Sequence, residues 1–233
     1  MNSRRNLKFV KTNTMKKITL ILLIGFISAF SKNASAKGGP EYTQAMKTAV
    51  ATMDTTKSAN GFLQLAGNFE RIAGVETAEW LPDYYAAYCY AMYVFIGMDK
   101  KTVDDYMDKA EALINKADGL KPDNSEIITV KGLVNGGRIM KDPASRGRKY
   151  GTLANDLYEK AKKLDDSNPR PYLLQGQGKF YTPKMFGGGK DKAKPLLQTA
   201  VDKYKTFKPE SDIAPHWGEA FATMLLSQCN EEK

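Results

Sequence analysis

Histidine occurs once in this 233-residue chain, at position 216, and cysteine only twice, at 89 and 229. One histidine without neighbouring cysteines cannot build a conventional zinc site, which needs three or four protein ligands. Two cysteines 140 positions apart leave both a single bridge and two separately packed thiols open. No Gly-x-Ser-x-Gly run is present to place a nucleophile. The glycines at 187–189 are not a phosphate loop either, since Lys190 is followed by Asp191 and the required spacing is missing. With no constellation that carries chemistry, the chain is expected to be non-enzymatic, with no cofactor and no metal.

Acidic residues are missing from the first forty positions. Residues 1–36 hold seven of the 35 Lys and Arg and none of the 26 Asp and Glu, so most of the formal net charge of +9 lies there. Beyond them, 28 cations face 26 anions. That near-neutrality removes the case for a nucleic-acid partner, which a basic total would otherwise make. The seven cations belong with a secretory signal: Met15-Lys16-Lys17 begins it, Ile18 to Phe30 is apolar, and Ala34-Ser35-Ala36 offers a cleavage site after Ala36. Either Met1 or Met15 can be the start. The apolar run of 13 is short of the about 20 residues a permanent membrane helix needs, and no other long apolar run follows. The expectation is a periplasmic or secreted protein with no stable membrane insertion once the signal is removed. Its parts are an N-terminal extension with signal peptide, 1–36, and a helical domain, 37–233.

Strand-like alternation is also absent. Apolar residues instead recur at helical spacing, as in Val103, Tyr106, Ala110, Leu113, Ile114 and Ala117, or Tyr150, Leu153, Ala154, Leu157, Tyr158, Ala161 and Leu164. Breakers at Pro82, Gly97, Pro122, Pro143, Pro169, Gly187–Gly189 and Pro215 divide the chain into roughly nine helices. A signature repeats through them. Ala110-x3-Ile114-x2-Ala117, Ala154-x3-Tyr158-x2-Ala161 and Ala193-x3-Leu197-x2-Ala200 are three copies of one pattern. Ala66, Ala110 and Ala154 lie 44 apart, as do Gly132 and Gly176, and Ala154 and Ala193 lie 39 apart. Fixed-period self-similarity of this size marks a solenoid of stacked helix pairs.

On these residues the chain resembles the tetratricopeptide repeat superfamily. The resemblance rests on the small residues Ala87, Gly132 and Gly176 in first helices, the Ala-x3-large-x2-Ala of second helices, and the exit turn at Pro122. It implies an all-α superhelix of about four helical hairpins with a closing C-terminal helix near 213–230, where Pro215-His216-Trp217 looks like a capped start. The repeats depart from the family length of 34. The aromatic three residues after the small one survives as Tyr90 but is Asn135 and Lys179 in later copies. Pro195 lies inside a predicted helix, tolerable near its first turn.

Function then rests on surfaces. Trp80 to Phe95 is aromatic on every side, as suits a central helix covered by its neighbours; alternatively Tyr84 and Tyr88 line a concave groove and touch a ligand. Asn135, Arg138 and Lys179 are the other candidate binding residues. Arg138–Lys149 and Lys179–Lys194 are two cation-rich loops that would steer an acidic partner if they share an edge. Phe180–Asp191 reads as a connector between helices, although a glycine run feeding a helix also binds anions through its N–H groups. Asp104, Asp105 and Asp108 read as surface acids at a helix start. The leading expectation is a protein-interaction module that binds an envelope protein or peptide on its solenoid surface. The alternative is a periplasmic small-solute-binding accessory of a transport system, its pocket walled by the tyrosine helix and the Gly187–Gly189 loop.

Overall fold

The computed structural model describes residues 38–97 and 99–231. The signal peptide and its cleavage site lie outside the described residues. Among the described residues there are nine α-helices and no strand. They are α1 (Pro40–Thr55), α2 (Ala59–Val75), α3 (Trp80–Gly97), α4 (Val103–Leu120), α5 (Ser125–Arg138), α6 (Pro143–Leu164), α7 (Arg170–Tyr181), α8 (Lys190–Tyr204) and α9 (Glu219–Asn230). Consecutive helices pair as α1/α2, α3/α4, α5/α6 and α7/α8, and α9 packs on α8. The all-α superhelix expected from the repeat is therefore the observed architecture. No described helix is long and apolar enough to cross a membrane.

Short polar side chains set the helix starts. Ser58, Asn124 and Asp142 each accept a bond from a backbone N–H in the first turn, of Gly61 (3.1 Å), Ile127 (3.1 Å) and Ala144 (3.2 Å) respectively. Asn168, one repeat after Asn124, ties two turns together. Its Oδ1 accepts from the Arg170 N–H at 3.0 Å and its Nδ2 donates to Ser125 Oγ at 3.1 Å. Pro195 sits six residues into α8, whose N-terminal end it leaves one hydrogen bond short.

The signature has a packing reason. A methyl added at Gly132 would collide with the Tyr158 ring, and one at Gly176 would meet Leu197 Cγ and Cδ2 at 2.8 Å. The small residue of each first helix is thus the socket for the large residue of the second helix's Ala-x3-large-x2-Ala. Ile114, Leu197 and all the flanking alanines except Ala154 are fully buried, and Ala154 and Tyr158 nearly so. Gly176→Ala should lower stability by about 1–3 kcal/mol through this overpacking, measured as a urea midpoint. Gly178→Ala, with open space around it, should hold or raise the midpoint.

Two apolar clusters make the core: one over α1–α6, and one of Leu173, Leu197, Tyr204, Leu225 and their neighbours over α7–α9. Trp217 packs against both. It belongs to a non-helical strap, residues 205–218, between α8 and α9. The closing helix therefore begins at Glu219, after Gly218, and not at Pro215 as the sequence suggests. Pro215, His216 and Trp217 are strap residues.

Candidate functional site

The strap is tied to α1, α3 and α7. Lys47 of α1 holds Asp212 at 2.7 Å, and His216 meets Asp54 of α1 at 3.0 Å. From α3, the Tyr85 hydroxyl donates to Ile213 O at 2.9 Å, the Tyr84 hydroxyl accepts from Trp217 Nε1 at 2.9 Å, and Tyr88 stacks on the Trp217 ring. From α7, Arg170 donates to Pro215 O at 2.6 Å and to Glu126 of α5 at 2.7 Å. Its guanidinium also lies 4.6 Å from the Phe207 ring centre and 5.2 Å from that of Trp217. Arg170 is fully buried, and burial pushes the Glu126 carboxyl above its ordinary range against the pull of that arginine. The strap thus covers the tyrosine side of α3 and the start of α7.

That packing decides the fate of two candidates. Tyr84 is fully buried and Tyr88 nearly so; both hold the strap, and of the two Tyr88 alone borders an open cleft. Burial raises both phenols well above the ordinary tyrosine range. A shallow cleft remains beside the strap, between Asp54, Phe62, Tyr88, His216 and Glu219. Both His216 ring nitrogens face acceptors there, Nδ1 the Ala214 carbonyl at 3.1 Å and Nε2 the Asp54 carboxylate. No group of three potential metal ligands occurs among the described residues. Cys89 and Cys229 are both free thiols, and burial raises both.

The two cation-rich loops part ways. Arg138 is paired with Asp108 and Glu111, both at 2.7 Å, while Lys141 and Arg146 converge on Asp104. Asp104 and Asp108, two of the three acids read as plain surface charges, are with Glu111 the counter-ions of this loop, supplied by α4; Asp105 stays exposed. Arg146 and Lys141 hold the Asp104 carboxyl far below its ordinary range. A depressed carboxylate contributes stability above its unfolded pKa and loses it as pH falls toward the folded value. Urea midpoints of wild type should therefore fall on acidification below about pH 4, and Asp104→Asn should flatten that limb. Asn135 turns inward along its own helix, donating to Lys131 O at 2.9 Å.

Lys179 belongs to the other loop, and there the surface is different. Between α7 and α8 the chain makes a tight finger. Thr182 caps back onto Gly178 O through its N–H and hydroxyl (3.1 and 2.7 Å), and Lys184–Phe186 form one 3₁₀ turn. The Gly188 N–H donates to Pro183 O at 3.2 Å and the Gly189 N–H to Lys179 O at 2.8 Å. Gly187 is left-handed (φ 79°), and a methyl at Gly188 would strike the Thr182 carbonyl. The Lys179 ammonium rests 3.3 Å from Gly187 O. This well-bonded turn carries three large side chains into solvent: Tyr181 is 63% exposed, Met185 82% and Phe186 70%. Large apolar groups clustered on an ordered turn mark an interaction surface, whereas scattered ones need no explanation.

No family model matches the chain, nor does any curated protein. Among solved structures, the HusA haemophore from Porphyromonas gingivalis matches at 36% identity with a TM-score of 0.73, over 81% of this chain and 92% of that one. The chain belongs to the HusA family. Sequence reasoning put Phe180–Asp191 down as a connector or an anion-binding glycine run and passed over Tyr181, Met185 and Phe186. Their signal was present as three large residues amid turn formers, but exposure is not written in a short loop.

Proposed function

We propose that this protein is an exported, non-enzymatic haem-binding protein, and that the tetrapyrrole lies against the finger formed by Tyr181, Met185 and Phe186. The observation that carries the reading is the exposure of those three side chains on a hydrogen-bonded turn. Membership of a family whose solved relative is named a haemophore supplies the ligand class. A flat, largely apolar macrocycle can lay one face on two or three such groups, which offer large contact area. Export is supported by the basic, apolar, small-residue sequence of residues 15–36. Kinship with the tetratricopeptide superfamily is likewise proposed, on the Gly132–Tyr158 and Gly176–Leu197 sockets.

A second reading, an envelope protein or peptide as partner, draws on the same anchors, since rigid exposed aromatics make interface hot spots. Size weighs against it. Three side chains offer a few hundred Å² at most, below the about 800 Å² per partner of a stable protein interface.

Titration with ferric protoporphyrin tests the reading. A saturable Soret change is expected, retained in His216→Ala because that ring belongs to the strap and not to the finger. No saturable change, or its loss in His216→Ala alone, would remove the finger as the site.

A further inference from the structure

We infer that the site selects tetrapyrroles carrying free carboxylates, which the ammonium groups of Lys179 and Lys184 recognise beside the finger. This rests on the haem-binding reading above. The fold treats its two cation-rich loops differently, pairing three of the five cations of Arg138–Lys149 with acids. Arg138, Lys141 and Arg146 are each satisfied by α4 carboxylates. Around the finger, Lys179, Lys184, Lys190, Lys192 and Lys194 have Asp191 as the one acid within their own stretch. That acid reaches only Lys184, at 3.3 Å, with both side chains about four-fifths exposed. Such a pair is screened by water and exchanges its partner at little cost. Among the described residues, Lys179 and Lys190 contact backbone carbonyls, of Gly187 (3.3 Å) and Glu231 (3.4 Å).

Lys179 and Lys184 are on the finger itself. The first ends at the Gly187 carbonyl, and the stem of the second lies over Gly189, where an added methyl would meet its Cγ at 2.8 Å. Both positive charges therefore flank the turn that presents Met185 and Phe186. An occupant complementary to this surface has an apolar plane and an anionic edge. A neutral apolar molecule would leave the lysines without counter-ions, and a simple anion would leave the three apolar side chains in water. A tetrapyrrole with carboxylate side arms satisfies both at once.

The test compares zinc protoporphyrin with its dimethyl ester in one mixed solvent, followed by porphyrin fluorescence. The free acid should bind about tenfold more tightly at low salt, a difference that shrinks as salt rises. Lys179→Gln/Lys184→Gln should bring the acid down to the level of the ester and leave the ester unchanged. Equal binding of acid and ester by wild type, or a tenfold preference surviving in the double variant, would overturn the inference while leaving haem binding intact. Failure of both porphyrins to bind would instead overturn the reading on which it rests.

Discussion

Met185→Ala/Phe186→Ala is expected to weaken haem binding by at least about 100-fold while leaving the fold unchanged. Each side chain would go from mostly exposed to covered on binding, and full burial of such a group is worth about 1.5–3 kcal/mol. Two groups at the lower figure give about 3 kcal/mol, which corresponds to about two decades of affinity. Because neither residue packs in the core, the urea midpoint should move little, as surface substitutions usually stay within about 0.5 kcal/mol. A Soret titration and a urea curve on the same variant separate the two effects. A variant that binds as wild type would place the ligand elsewhere.

Arg170→Ala should lower stability by about 3–5 kcal/mol. The arginine is fully buried, bonded to Glu126 and Pro215 O and stacked among Phe207 and Trp217. Removing it leaves the Glu126 carboxylate buried with only the Tyr84 hydroxyl (2.9 Å) to satisfy it, and breaking one side of a buried pair is costly in this range. The strap also loses its central tether, so Trp217 fluorescence should shift toward a water-exposed value before global unfolding. Replacing both partners, as Arg170→Met/Glu126→Leu, should recover much of the loss, because the uncompensated charge is then gone. If the single variant is as stable as wild type, the pair does not hold the strap.

The helix pairs were legible because their cause is periodic. A socket glycine must recur wherever the next second helix inserts its large residue, so Gly132 and Gly176 announce Tyr158 and Leu197 one repeat apart. The strap has no period, and three of its ties go to the carbonyls of Ile213, Pro215 and Trp217, which every residue possesses. Hence the tyrosine side of α3 looked open and Tyr84 and Tyr88 looked available. One clue was there. Glu126 and Arg170 are 44 positions apart, the repeat length, which sets them on adjacent first helices at equivalent places. Charge was misleading for a related reason: the acids that neutralise Arg138 and Arg146 lie 27 to 42 positions upstream, on α4, and only the fold brings them to that loop.

The finger was legible in composition but not in consequence. Pro183 and Gly187–Gly189 specify a turn, and a turn between helices is ordinarily a connector. What makes it more is that Tyr181, Met185 and Phe186 stay mostly in solvent on that bonded turn, a property of three-dimensional surroundings.

Amide chemical-shift mapping with zinc protoporphyrin tests the central claim most directly. The account predicts shifts concentrated in Lys179–Lys192, with Asp54, Phe62 and His216–Ala220 unmoved. Shifts centred on the His216 cleft, with the finger silent, would contradict it.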